Sequence, residues 1–375
     1  MCIYSCGTNV TVFRRVYALS TDLSVMERCT RILRLAESGA TIDECEFELS
    51  RVQREDKIYL QSLGGGIACA SFCAFFGGGL CESAICLLVG IVTCLLSAAL
   101  SRRGAGGAAR VLAISVLGGA LSLILSALAI ACKIECSAAY VVLGSIMATV
   151  PGLNIFGALR DLLSGDYQSA AERITGGLSS ALAMAAGYSL SGAALSFLSL
   201  PHIARGQPSF LLSLASCAAG ASGFCIMFRA RPSRAASGVL AAASTYCVYC
   251  LCIPLGVFWA TAIASFFAYF VAAALSYAFR LPNGMFLTSA ILPLLPGAPL
   301  YYAAEELACG NFAVALEYGA DAVLFFGSIA VGVAAAAAVL RLAGIFLPGA
   351  VRMFFSRKKF KLTAKKGYLF SLLVL

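Results

Sequence analysis

Val150-Pro151-Gly152-Leu153-Asn154 decides how this chain is read, because a partner stretch, Leu295-Pro296-Gly297-Ala298-Pro299, lies 145 residues further on. The match extends beyond proline and glycine. Asp161 aligns with Glu306, Gly165-Asp166-Tyr167 with Gly310-Asn311-Phe312, Glu172 with Glu317 and Gly187 with Gly332, all at one spacing and without a gap. An apolar run precedes each copy (Ile146–Val150 and Ile291–Leu295) and another follows it. Charged positions match along with apolar ones, so the chain carries an internal duplication.

The composition says what medium the repeats occupy. Of 375 residues, 61% are hydrophobic and 12% charged, with a mean hydropathy of +0.91. A soluble domain is nearer half apolar and a quarter charged. This is therefore an all-α integral membrane protein, with room for about ten spans of roughly 20 residues each. The 36 glycines suit helices packed closely in lipid. The net charge of +9 comes from basic residues at the ends of apolar runs. It points to membrane orientation and anionic lipid, not to nucleic acid.

Most of the 17 cysteines lie in apolar runs, where cysteine packs as a small hydrophobe. Cys247-Val-Tyr-Cys250-Leu-Cys252 has a metal-like spacing, but no histidine or acid lies near it. No metal or other cofactor is expected. His202, the single histidine, reads as a solvated loop residue.

Residues 1–60 read as a charged helical segment. Helical periodicity runs over 25–37, Gly39 stops that helix, and Thr41-Ile-Asp-Glu44 opens a second one over 42–55 as a capping box. Spans are expected at 62–78, 82–101, 111–131, 137–157, 174–197, 210–228, 235–252, 255–279, 285–304 and 317–340. With the N-terminus inside, the inner loops carry nine arginines and the outer loops only Lys133 and Arg205, as the positive-inside rule requires. The basic tail, 346–375, falls inside as well. Four segments follow: 1–60 cytosolic, 61–200 and 201–345 as five-helix modules, and 346–375 as the tail. Five spans is an odd number, so the two modules enter the membrane with opposite polarity. Inverted repeats of this kind typify secondary transporters, with the substrate site near the midplane between the repeats.

Pro151-Gly152 and Pro296-Gly297 break their spans, because proline removes a donor and glycine permits the turn. Backbone groups freed at such a break can hold substrate where the break lines a cavity. Asn154 adds a donor and an acceptor beside the first break. Asp161, Asp166 and Glu172 read as an inner loop after it. Glu305, Glu306, Asn311 and Glu317 read as an outer loop after the second. Such groups suit a zwitterionic amino acid. Asp321 falls about one turn inside the tenth expected span, where an ionisable group defaults to a functional hypothesis such as proton transfer. Glu82, Glu172 and Glu317 are weaker candidates for the same task. No Walker sequence, nucleophile elbow or His-Glu-x-x-His occurs. No enzyme or ATP-driven pump is read here, and an ion-gradient transporter remains.

These motifs resemble the threonine/serine exporter family. The matching stretches are Ala74-Phe-Phe-Gly-Gly78 with Glu82, Val150-Pro-Gly-Leu-Asn154 with Asp161 and Gly165-Asp166, and Leu294-Leu-Pro-Gly297 with Gly310-Asn311. Residues 37–60 are similar to the family's linker into the first span. The resemblance implies two five-helix modules in the inner (cell) membrane, both termini cytosolic, and export of threonine and serine driven by the proton-motive force. Partners are then the small-molecule substrate, protons and lipid, with a homo-oligomer left open. It also implies an N-terminal segment shortened past a Leu-x-Glu-Ser-Gly-Ala-like helix. The acid after the Gly-Gly is commonly Asp in the family and is Glu82 here. Relatives that split the halves export dicarboxylates such as succinate, an alternative substrate class. A membrane scaffold is a third reading, which an inverted repeat disfavours.

Overall fold

Asp22 begins the helical part of the chain by capping it: its carboxylate accepts the Ser24 and Val25 amides, each at 3.1 Å. The computed structural model describes residues 2–6, 10–14, 22–52, 57–163, 165–198, 200, 206 and 208–344. His202 and the basic tail lie outside these. Ahead of the helices, strands β1 (Cys2–Cys6) and β2 (Val10–Arg14) pair antiparallel with Cys2 opposite Arg14. This hairpin adds a small β element to the helical reading. Helix α1 spans Leu23–Glu37 and ends at Gly39, whose φ of +95° suits glycine. Leu35-Ala36-Glu37-Ser38-Gly39-Ala40 closes it. The Leu-x-Glu-Ser-Gly-Ala pattern is therefore inside the chain, which corrects the expectation of a start downstream of it. Helix α2 (Ile42–Ser50) opens on the capping box read from sequence: Thr41 N–H donates to Glu44 Oε2 at 2.9 Å, and Glu44 N–H to Thr41 Oγ1 at 3.3 Å.

Twelve further helices follow among the described residues: α3 (Ile58–Phe75), α4 (Leu80–Arg102), α5 (Gly107–Ala131), α6 (Ala138–Ser145), α7 (Gly152–Leu163), α8 (Tyr167–Ala194), α9 (Phe210–Met227), α10 (Pro232–Cys252), α11 (Val257–Phe279), α12 (Asn283–Ala290), α13 (Gly297–Ala308) and α14 (Phe312–Leu342). Among the described residues, seven helices are long and apolar enough to cross a membrane: α3, α4, α5, α9, α10, α11 and α14. Two expected spans are broken instead. The first, α6 with its following turn, meets α7 at 45°, and α12 meets the segment holding α13 at 43°. If each bent pair is one span, the count reaches nine. The expected fifth span is α8, whose 28 residues measure about 42 Å at 1.5 Å per residue. Ser179, Ser180, Gly187, Ser189, Ser191 and Gly192 dilute it, so it is not apolar enough to stand with the seven.

The duplication extends to the packing. Helices α6, α7, α8 and α12, α13, α14 start at positions 145 residues apart. The same pairs touch in both halves: α3 with α4 and α9 with α10, α5 with α8 and α11 with α14, α7 with α8 and α13 with α14. Gly187 places the α8 backbone on α5 beside Leu112, Ser115 and Val116, and Gly332 places α14 on α11 beside Ala262, Ser265 and Phe266. These neighbours are 150 residues apart.

The leading helices of the halves, α3 and α9, run antiparallel along each other. Gln61 donates to the Met227 carbonyl at 3.2 Å near one end. Gly64 lies against Gly223 and Met227, Gly223 also against Ala68, and the Phe72 ring against Gly220 further along. Helix α1 is docked at the Gln61 end. Leu23 N–H donates to the Phe228 carbonyl at 2.9 Å, Arg229 binds Asp22 at 3.0 Å and Gln61 at 3.0 Å, and Arg231 reaches Glu27 at 3.2 Å. Leu23 is buried in the apolar cluster of α11 and α12.

Candidate functional site

Both proline–glycine breaks lie at the centre, where the halves meet. Pro151, Gly152, Pro296 and Gly297 are all buried. Each break is a short turn after which a new helix of 12 residues begins at the glycine. Their seating is reciprocal: a methyl on Gly152 would meet Leu295 at 3.4 Å, and one on Gly297 would meet the Met147 thioether at 3.1 Å. Each glycine thus admits an apolar side chain from the turn of the other half. Met147, Leu292 and Tyr301 join Phe72, Phe224 and Tyr188 in one buried cluster drawn from both halves.

The acids expected on loops lie mostly on helices, because each break restarts a helix rather than a loop. Asp161 is on α7, Glu172 on α8, Glu305 and Glu306 on α13 and Glu317 on α14. Asp161 is held by Arg173 at 2.7 Å and Arg160 at 3.4 Å. The Arg173 side chain also covers Gly157, so this ion pair ties α7 to α8. Asp166 caps α8: its carboxylate accepts the Ser169 amide at 3.1 Å and the Ser169 hydroxyl at 2.7 Å. These bonds favour the charged form and hold its carboxyl below the ordinary carboxylate value. In the other half, Asn311 donates to Glu306 at 2.7 Å. Asp166 and Asn311 thus occupy matched corners, one before α8 and the other before α14.

The remaining candidates separate by surroundings. Asn154, Glu172, Glu317 and Asp321 are exposed on the protein surface. Glu82 is 1% exposed. Its carboxylate accepts the Gly79 amide at 3.1 Å and the Ser137 amide at 3.0 Å, so it holds the N-termini of α4 and α6 together.

A polar chain that sequence reasoning missed borders the central cluster. Ser122 donates to Ser145 at 3.2 Å, and the Ser145 and Tyr188 hydroxyls bond at 3.0 Å. The Tyr188 ring meets the Tyr301 ring edge-on at 6.0 Å, and Tyr301 donates to Glu305 Oε1 at 3.0 Å. Tyr301 is 4% exposed and Glu305 half-buried. Only the four-residue spacing of Tyr301 and Glu305 along α13 was available as a sequence signal. Chemically, this region offers hydroxyls, a carboxylate and aromatic faces between two helix breaks, a surrounding able to receive a small polar cation or a proton.

Residues 1–196 match the ThrE family model, described as a threonine/serine exporter, and residues 213–339 match a second threonine/serine exporter model, ThrE_2. No curated protein and no solved structure matches the chain.

Proposed function

Because the chain belongs to the threonine/serine exporter family, we propose that it exports threonine and serine across the cell membrane by alternating access, driven by the proton-motive force. The observation that carries this reading is the reciprocal seating of Gly152 on Leu295 and Gly297 on Met147. Two matched breaks meeting at the centre suit a pathway whose two ends open in turn. The antiparallel course of α3 and α9 supports an inverted arrangement of modules 61–200 and 201–345. On this reading residues 1–60 and the tail 346–375 are cytosolic.

Pro151, Gly152, Asn154, Pro296 and Gly297 then line the substrate's path. Asp161 and Asp166 stand at its inner mouth, and Glu306 and Asn311 at its outer one. Asp321, Glu317 and Glu172 are exposed acids placed to exchange protons with the surroundings of the pathway. Glu82 suits that task least, since its carboxylate already serves two helix N-termini.

A dicarboxylate such as succinate is the second reading. Arg160 and Arg173 at the inner mouth would have to hold it, but both are engaged by Asp161, and the matching mouth presents Glu305 and Glu306. The charge arrangement favours the amino acid. Proteoliposomes under an imposed pH gradient, loaded in parallel with labelled threonine, serine and succinate, test both. Gradient-dependent movement of threonine or serine alone is expected. Movement of succinate alone replaces the substrate, and movement of none removes the transport reading.

A further inference from the structure

The duplication supplies an internal control for the polar chain. Helix α13 crosses α8 where Tyr301 meets Tyr188, and α7 touches α14 in the matching place. At the 145-residue offset Tyr301 corresponds to Phe156, Tyr188 to Val333 and Ser145 to Ala290. At the 150-residue offset shared by the contacts of Gly187 and Gly332, Ser122 corresponds to Ala272. All eight side chains are buried. One site therefore packs with phenylalanine, valine and alanines, while the other carries four hydroxyls. Packing does not require those hydroxyls, since the apolar version closes the same joint. Buried polar groups are costly to assemble, and the chain leads to one carboxylate. Glu305 corresponds to Arg160, so that acid too belongs to one half only.

We propose that Glu305 is the carboxylate that binds the transported proton, with Tyr301 and Tyr188 positioning it where the two modules cross. The proposal rests on the proton-coupled reading above. The step balances simply. Glu305 carboxylate takes a proton from water on one side to become a carboxylic acid, then returns it to water on the other side. While Glu305 is charged, Tyr301 donates to it from one turn earlier on α13, and the Tyr301 ring rests on Tyr188 of α8. Neutralised, it crosses a low-dielectric region at far smaller cost. The titratable groups around it are Tyr301, Tyr302 and Glu306 on α13, Tyr188 on α8, Tyr318 on α14 and Tyr140 on α6. Asp321 and Glu317 are exposed on α14.

The test uses the full chain in proteoliposomes. Glu305→Gln is expected to lose gradient-driven threonine movement by about tenfold or more, while threonine–threonine exchange persists and no longer varies with pH. Tyr301→Phe keeps the carboxylate but removes its donor, so the pH midpoint of exchange should move up by about one unit. Wild-type coupling in Glu305→Gln overturns the proposal. So does loss of exchange as well as coupling in a variant that melts like the wild type, or an unmoved midpoint in Tyr301→Phe. If Glu305→Gln does not fold, Tyr301→Phe decides. If the wild type itself shows no gradient dependence, the coupling reading fails separately, and infrared titration decides Glu305. A carboxyl band that titrates in the wild type and vanishes in Glu305→Gln sustains the proton site; no such band overturns it.

Discussion

Gly332 of α14 lies against Ser265 of α11 with no room between them for a methyl group. Gly187 stands in the same relation to Ser115, with a methyl coming within 2.6 Å of the serine Cβ. Both contacts involve the neighbouring helix backbone as well, which cannot rotate away. Gly187→Ala should therefore cost about 1–3 kcal/mol of stability, and Gly332→Ala at least as much. Gly192 faces open space, so Gly192→Ala serves as the control. Thermal unfolding in detergent checks the order. Equal melting of all three variants would mean that α8 and α14 do not depend on these close approaches.

The Gly187 and Gly332 match was legible in the sequence as a spacing, but its reason was not. The reason lies in Leu112–Val116 and Ala262–Phe266, on helices whose own offset is 150 rather than 145. Local chemistry was read well: the Thr41 capping box, the Gly39 stop and both proline–glycine breaks depend on residues close in sequence. Contacts between distant residues were not legible. Asp22 and Arg229 lie 207 residues apart, and Tyr188 and Tyr301, on separate helices, carry no local signal of their meeting. Glu82 was read for its charge, although its three-residue spacing from Gly79 also suits an N-terminal cap, and its carboxylate accepts the Gly79 amide.

Asp22 performs two tasks that substitution can separate. It caps α1 and pairs with Arg229, whose other contact, Gln61, lies on α3. Asparagine caps as well as aspartate does, but carries no charge. Asp22→Asn should cost about 1–2 kcal/mol, and Asp22→Ala about 2–4 kcal/mol. Limited proteolysis should then release residues ahead of α3 faster in the order wild type, Asn, Ala. If the two variants are cleaved alike, the ion pair contributes nothing to docking.

Asp166 predicts a local response to acid. Its carboxyl is held below the ordinary value by Ser169, so the capped form is favoured above the unfolded value of about 3.9. The stabilisation is lost as pH falls through the lower folded value. The first turn of α8 should stay capped at neutral pH and fray only in acid. Hydrogen exchange of the Ser169 amide should rise over its intrinsic rate in acid in the wild type, and already at neutral pH in Asp166→Ala. Equal protection in both at neutral pH would show that the cap is idle.

The orientation of the modules can be tested mainly with cysteines the chain already has. Cys132 follows α5 and Cys309 follows α13, and both are exposed. With the N-terminus inside, both face outward, whereas the corner before α8 faces inward. Gly165 and Gly310 make poor probe sites, because their φ values of +82° and +84° disfavour any side chain. Gln168 and Ala313 are exposed in the first turns of α8 and α14 and are 145 residues apart. In cells, an impermeant maleimide should label Cys132 and Cys309 in the wild type. With those two replaced by serine, Ala313→Cys should be labelled from outside and Gln168→Cys only after the membrane is opened. Labelling of both from the same side would rule out inverted modules and leave two repeats of like orientation. The reverse pattern would keep the inversion and turn the whole chain over.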